Sequence, residues 1–381
     1  MRNPGLVLVA LFVIIWTDSY SSFPEKSPGS DREWDAGVQT HAGFLMAHRP
    51  VIAHLQQKHS NAIQCYLLKK MDGSKSWHSD YGLPYIGLSY RMTDFGNREE
   101  IGLGHSVVMM ARFPLFPQAK KWQSAIDFGY GLGFIERPFD VESNYKNLAS
   151  GSIVNAAFSL AMTTSYPLNP HLRIRGGIDF LHFSNGAARM PNLGLNVPGL
   201  LIGLNYRFDS QNHTDPNRSV EKASPTTTGT ETAFYKRTRA YAAYAVKEIY
   251  PPNDGAYSVY MLNAQHHRTA GKKGLFGGGL DMIYDTSLPT KLSRETGKPK
   301  NNGSDAFIRG GAFGSAGLQM GPWSAYLQVG AYLVNPVKSD GDVYNRLALH
   351  YQFKKGLFLC MNLKSHFGKA DYMEWGAGYS F

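Results

Sequence analysis

The run Trp323-Ser324-Ala325-Tyr326-Leu327-Gln328-Val329-Gly330-Ala331-Tyr332-Leu333 alternates along its whole length. Trp323, Ala325, Leu327, Val329, Ala331 and Leu333 share one face. Ser324, Tyr326, Gln328, Gly330 and Tyr332 share the other. Successive side chains of a strand point to opposite sides, so the run separates an apolar wall from a more polar one. The pattern recurs. Ile86, Leu88, Tyr90 and Met92 oppose Gly87, Ser89, Arg91 and Thr93. Leu200, Ile202, Leu204, Tyr206 and Phe208 oppose Leu201, Gly203, Asn205 and Arg207. Val343, Leu347, Leu349, Tyr351 and Phe353 oppose Tyr344, Arg346, His350 and Gln352. A soluble sandwich also alternates. Two features favour a membrane barrel: the polar faces mix Arg, Gln, Asn and His with Gly, and the apolar faces carry aromatic residues near strand ends.

Composition agrees. Of 381 residues, 43% are hydrophobic but only 18% charged, and 40 are Gly. That profile suits strands between two environments better than a solid globular core. Arg2, the apolar run Leu6 to Trp16 and the small residues Ser19, Ser21 and Ser22 predict a secretory signal over residues 1–22. A membrane anchor is the other reading, but the run is short of the roughly 20 residues a spanning helix needs. Beyond residue 22 no window is apolar enough to cross a bilayer as a helix, so a crossing would have to be made by a closed barrel.

The expected fold is therefore all-β, a transmembrane antiparallel β-barrel of about 14–16 strands. Eight strands are expected near 34–45, 62–71, 85–95, 103–115, 122–136, 152–167, 172–185 and 197–208, within a first segment 23–208. Residues 209–232, rich in Ser, Thr, Asn, Asp and Pro, read as a polar linker or loop. Up to eight further strands follow in 233–381. A single closed barrel is preferred because closure removes edges, with two eight-stranded barrels as the alternative. Cys65 and Cys360 are too few and too far apart for a disulfide framework, and whether they pair stays open. The last strand, Met373 to Phe381, sets Met373, Trp375, Ala377, Tyr379 and Phe381 against Glu374, Gly376, Gly378 and Ser380. An amphipathic strand ending in Phe resembles the C-terminal insertion signal of bacterial outer-membrane proteins.

The segment most informative about chemistry is Leu172 to Phe208. Ile174, Ile178, Phe180, His182 and Ser184 share a face, and Arg173, Arg175, Asp179 and Asn185 share the other. The Arg/Asp face belongs in a wet lumen, so His182 and Ser184 belong on the outer wall. Polar groups there are costly unless paired or near the headgroups. Two residues apart on a strand, an imidazole and a hydroxyl come within reach, and such a pair can attack an ester. It can equally be a rim pair bonding headgroups or water.

Other candidates are weaker. His266 and His267 are adjacent on a strand and point opposite ways, a poor metal pair. His366, Asp371 and Glu374 read as a lumenal polar network or a second constellation. Gly277-Gly278-Gly279 lies in a strand-like run and is no phosphate loop. No nucleic-acid module is visible, and the chemistry requires no metal or organic cofactor. The net charge of +10 fits either solvated loops or attraction to lipid phosphates.

The run His182-Phe183-Ser184-Asn185, followed by Pro191-Asn192, Gly194 and a closing strand ending Tyr206-Arg207-Phe208, resembles the lipid A 3-O-deacylase family of PagL type. The resemblance covers roughly 35–208, and its specific part is about 182–208. The whole chain looks like longer members of the same superfamily, the acyloxyacyl hydrolases common in Bacteroidetes. The resemblance implies an eight-stranded outer-membrane barrel of a Gram-negative bacterium with its active site on the lipid-facing wall. It implies a serine esterase acting on lipid A (lipopolysaccharide), with outer-membrane lipids as surroundings. His182 matches the base, Ser184 the nucleophile and Asn192 an oxyanion donor, with backbone N–H groups near Gly186 and Ala187 as further donors. The family has Glu where this chain has Asn196. Asn can orient the imidazole but cannot offset its charge. Asp179 is on the wrong face, and Glu136 and Asp140 are the acids that could substitute. A non-enzymatic barrel, pore or structural, with a degenerate site is the alternative. With a periplasmic N-terminus, the loop Gly186 to Asn196 lies outside and the turn Asn169-Pro170-His171 inside. No role for 233–381 and no oligomeric state follows.

Overall fold

In a computed structural model the chain is described over residues 33–116, 121–209, 238–300 and 303–381. The expected signal segment, and all but the first residue of the expected linker, lie outside these residues.

Sixteen strands form among the described residues, at the top of the expected range. The first eight are β1 (Glu33–Phe44), β2 (His59–Lys70), β3 (Tyr85–Asp94), β4 (Leu103–Pro114), β5 (Gln123–Ile135), β6 (Val154–Pro167), β7 (Leu172–Ser184) and β8 (Leu195–Asp209). The next eight are β9 (Thr238–Glu248), β10 (Ala256–Ala270), β11 (Gly274–Asp285), β12 (Ile308–Met320), β13 (Trp323–Val334), β14 (Val343–Gln352), β15 (Leu357–His366) and β16 (Lys369–Ser380). They close as two separate eight-stranded antiparallel rings, which corrects the preference for one large barrel in favour of its alternative. The reason is register. β8 returns to β1 from Glu33↔Asp209 to Gly43↔Gly199, so every edge of the first ring is satisfied before β9 begins. β16 closes on β9 from Trp375↔Tyr244 to Ser380↔Arg239.

The alternation read from sequence becomes two walls. Val38, Ile63, Leu88, Val107, Ile178, Leu200 and Ile202 face outward from the first ring, and Leu262, Met282, Leu327 and Leu347 from the second. A continuous exposed apolar band is the surface a barrel presents to lipid. Aromatic pairs gather at one end: Trp122 with Tyr166, Tyr206 with Phe208, Trp323 with Tyr351, and Tyr379 with Phe381.

Both lumens are filled. In the first, Arg112 bonds Asp127 at 3.0 Å and Asp35 at 3.1 Å, Arg175 also bonds Asp127, and Asp179 accepts from Arg91 at 2.5 Å and His41 at 3.0 Å. Above this layer an apolar plug of Leu45, Ile52, Leu55, Phe95, Ile101, Leu181 and Phe183 occupies the end where the longer loops gather. Gly133 makes room for it, since a Cβ there would sit 2.3 Å from the Phe183 ring. In the second ring Arg346, fully buried, bonds Asp281 at 3.1 Å and Glu374 at 3.3 Å. Lys247 bonds Asp285 at 2.6 Å and Asp371 at 2.8 Å, and Lys364 also reaches Asp371. Burying ions is tolerable because each finds a counter-ion.

The rings touch at both ends. The Tyr81 hydroxyl, in the β2–β3 connection, donates to the Gln319 carbonyl at 2.9 Å. Nearby, Lys272 lies 3.7 Å from Asp80. At the opposite end the Glu248 N–H donates to the Ala187 carbonyl at 2.9 Å. Both rings therefore run the same way up.

Two outcomes follow from the filled lumens. In planar bilayers the protein should carry no steady porin-like conductance. Arg346→Ala strands Asp281 and Glu374 and should cost about 3–5 kcal/mol, read as a lower temperature for loss of the folded, fast-migrating band in cold detergent gels, with Arg346→Lys partly restoring it.

Candidate functional site

Alternation along β7 decides where its polar residues go. Arg173, Arg175, Asp179, Leu181 and Phe183 are buried in the lumen. Ile174 and Ile178 are exposed outside, and His182 and Ser184 follow on that outer face, half-buried. Antiparallel register then pairs His182 directly with Asn196 of β8. Their side chains meet at 2.7 Å, His182 Nδ1–H donating to Asn196 Oδ1. The Asn196 amide in turn donates from Nδ2 to His48 Nδ1 at 2.9 Å. His48 lies just past β1 in a segment tied to β8 by Met46 N–H donating to the Asn196 carbonyl at 2.8 Å. This chain fixes tautomers in one sense. A protonated Nδ1 on His182 leaves its Nε2 lone pair free, and His48 must be an acceptor at Nδ1.

Ser184 closes the end of β7, where the strand gives way to loop 185–194. Its hydroxyl oxygen accepts from Asn192 Nδ2 at 3.1 Å and from the Gly186 N–H at 3.2 Å. These bonds replace one to the imidazole: Ser184 and His182 are side by side but not hydrogen-bonded to each other. The loop is stapled from within and from without. Asn185 donates to Ser152 Oγ at 2.8 Å and to the Arg189 carbonyl at 2.9 Å, its own N–H donates to Asn192 Oδ1 at 3.0 Å, and Gly194 N–H donates to the Ala149 carbonyl at 2.8 Å. Gly194 has a left-handed φ of 81°, and a Cβ there would come within 2.9 Å of the His182 ring, so only Gly lets the loop close over the imidazole. Gly186 and Ala187 are also left-handed, both with φ 62°.

The expected site residues are thus brought together: His182 with Asn196, and Ser184 with Asn192 and the Gly186 amide. Ala187 adjoins them through the backbone, its carbonyl already engaged by Glu248. The expected substitute acids are elsewhere. Glu136 accepts from the Leu103 N–H at 2.7 Å, Asp140 caps its own turn at Ser143, and Asp179 faces the lumen. His266 and His267 point to opposite faces, meeting Thr238 outside and Ser315 inside. His366, Asp371 and Glu374 belong to the lumenal network of the second ring, His366 bonding Tyr332 at 2.9 Å. Gly277, Gly278 and Gly279 sit within β11, where the chain crowds β10 and β12. Cys65 and Cys360 are free thiols in different rings. Sequence reasoning missed His48 and Glu248. Both meet the site across long sequence separations, which no local spacing encodes.

Two family models match the chain. The model described as lipid A 3-O-deacylase (PagL) matches residues 63–205, and the acyloxyacyl hydrolase C-terminal domain matches residues 236–381. No curated protein matches. Solved structures that align include the Acinetobacter baumannii outer membrane protein Omp33, at 8% identity over 93% of this chain and 100% of that one, with a TM-score of 0.17. A triply substituted Rh. blastica porin aligns at 10% identity, over 91% and 99%, with a TM-score of 0.17. A bacterial polysaccharide outer membrane secretin aligns at 10%, over 91% and 98%, with a TM-score of 0.22. Ring closure in this chain itself makes each half a barrel. One model falls within the first ring and the other spans the second, so the chain belongs to the lipid A 3-O-deacylase and acyloxyacyl hydrolase family.

Proposed function

We propose that the protein is a serine esterase of the Gram-negative outer membrane that removes an ester-linked acyl chain from lipid A. The observation that carries this reading is the 2.7 Å bond from His182 to Asn196, with Ser184 next along the same lipid-facing wall. Ser184 and His182 sit at the loop end of β7, and the exposed side chains of Ile178, Leu200 and Ile202 lie below them as a surface for acyl chains. No solvent channel through the ring is required.

In the reaction, Ser184 Oγ turns from Asn192 toward His182 and attacks the ester carbonyl carbon while its proton passes to His182 Nε2. Such a rearrangement is common, because catalytic hydrogen bonds tighten only when substrate is bound. The negative charge on the former carbonyl oxygen is held by donors freed from the serine, Asn192 Nδ2–H and the Gly186 N–H, with the Ala187 N–H beside them. Collapse breaks the bond to the sugar oxygen, which leaves with the proton from His182. Water then adds to the acyl-enzyme through the same steps and releases a fatty acid. Asn196 holds the productive tautomer, and His48 stops the amide from rotating its nitrogen toward His182. Because Asn is neutral, the imidazolium formed during attack has no carboxylate beside it, and the site gives up part of the stabilisation that a Glu supplies.

Expression in an outer membrane, followed by mass spectrometry of lipid A, should show loss of one acyl chain. Ser184→Ala should abolish that loss and also block labelling by a lipophilic fluorophosphonate. Unchanged lipid A with no labelling would end the proposal. Asn192→Ala should lower kcat by about 10²–10³-fold. His48→Ala should lower kcat by about tenfold through a misoriented Asn196, and Asn196→Glu in the His48→Ala background should recover it, since a carboxylate presents an oxygen to His182 in either orientation.

A further inference from the structure

The second ring touches the first at the loop that carries the proposed oxyanion donors. Glu248, the last residue of β9, grips that loop twice. Its N–H donates to the Ala187 carbonyl at 2.9 Å, and its carboxylate Oε2 accepts from the Met190 N–H at 2.9 Å. Met373, on the outer face of β16, packs over the same place. A Cβ on Gly186 would lie 3.1 Å from the Met373 Cβ, and the Tyr130 hydroxyl of β5 lies 3.8 Å from the Met373 sulfur.

The clamped segment is the one that most needs a restraint. Gly186 and Ala187 are consecutive left-handed residues, and for Ala that conformation is strained and persists only where the surroundings enforce it. Within loop 185–194 the hydrogen bonds of Asn185 hold Arg189 and Asn192, and those of the β5–β6 loop hold Leu193 and Gly194. The Ala187 carbonyl and the Met190 N–H are both taken by Glu248. The turn over Gly186 and Ala187 is closed within the first ring by the Ala188 N–H donating to the Asn185 carbonyl at 3.2 Å, and the outward side of that turn is held from the second ring by Glu248.

We propose that Glu248 is a positioning residue for the esterase site, through which the second ring aligns the Gly186 and Ala187 amides with the oxyanion. The proposal rests on the esterase reading above. It gives residues 233–381 a role in the reaction of the first ring: they hold the loop that the first ring does not hold alone. The β16 wall also covers the β5 side of the site, which leaves lipid to approach Ser184 along the β7–β8 face.

The test uses the full-length protein in detergent micelles with lipid A as substrate. Glu248→Ala should lower kcat by about 10- to 100-fold, with KM within about twofold, because misaligned donors act on the transition state more than on binding. Glu248→Gln, whose amide oxygen still accepts from the Met190 N–H, should retain most of the activity. Tyr81→Phe, which removes the inter-ring bond to Gln319 at the far end, should leave kcat unchanged. All three should keep the heat-modifiable band of a folded barrel. Hydrogen exchange adds a readout that needs no activity: amides of residues 186–190 should exchange faster in Glu248→Ala and as in wild type in Tyr81→Phe. Wild-type protein that neither cleaves lipid A nor takes up the phosphonate would sink the esterase reading, and faster exchange would then still locate the clamp. Unchanged kcat with unchanged exchange in Glu248→Ala overturns the proposal, as does an equal loss of kcat in Tyr81→Phe.

Discussion

A backbone amide without a partner in hydrocarbon costs several kcal/mol, and that penalty governs the whole molecule. It forces each set of strands to return to its own beginning, as β8 does to β1 and β16 to β9. Closure then fixes what each side chain can be. Every second residue of a strand faces outward and most of these are apolar; the others face a packed lumen. In that lumen charge survives only in company. The rings are filled accordingly with arginines, lysines and carboxylates in mutual contact, and with tyrosines set against glycine.

The site is a controlled exception to that rule. His182 and Ser184 occupy positions on the outer wall where Ile174 and Ile178 precede them. They are tolerable because the strand ends there, and because both side chains are bonded: the imidazole Nδ1 to Asn196, the hydroxyl to Asn192 and the Gly186 amide. The same register that closes the ring sets His182 opposite Asn196. Chemistry on this wall thus needs no pocket cut into the barrel. In the proposed reading a single strand pair and its connecting loop supply base, nucleophile and donors, and a surrounding membrane would bring the ester-bearing substrate to them.

Much of this was legible because a period of two residues survives in the sequence. Strand bounds in the first half match closely, 85–95 against Tyr85–Asp94 and 172–185 against Leu172–Ser184, and the outward placement of His182 and Ser184 followed from the Arg173, Arg175 and Asp179 face. Alternation says which way a residue points but not which strand it sits beside. Whether sixteen strands form one ring or two depends on pairing between residues as distant as Gly43 and Gly199, and nothing local records it. The same blindness hid His48, whose partner Asn196 is far along the chain, and Glu248, which reaches across from another ring. It also left Glu136 and Asp140 standing as acids, since only coordinates show that their oxygens are spent on Leu103 and Ser143.

The first ring contains an even number of strands. The polypeptide therefore leaves it at Asp209 on the side where it entered at Glu33, and the second ring starts from that same side. Had the first ring closed with one strand more or fewer, its successor would stand inverted, with its turns among the long loops of its neighbour and Glu248 on the wrong surface. Parity is thus what permits two barrels in one chain to share the loop 185–194, and an insertion or loss in the first ring is compatible with that sharing only when it comes as a whole hairpin.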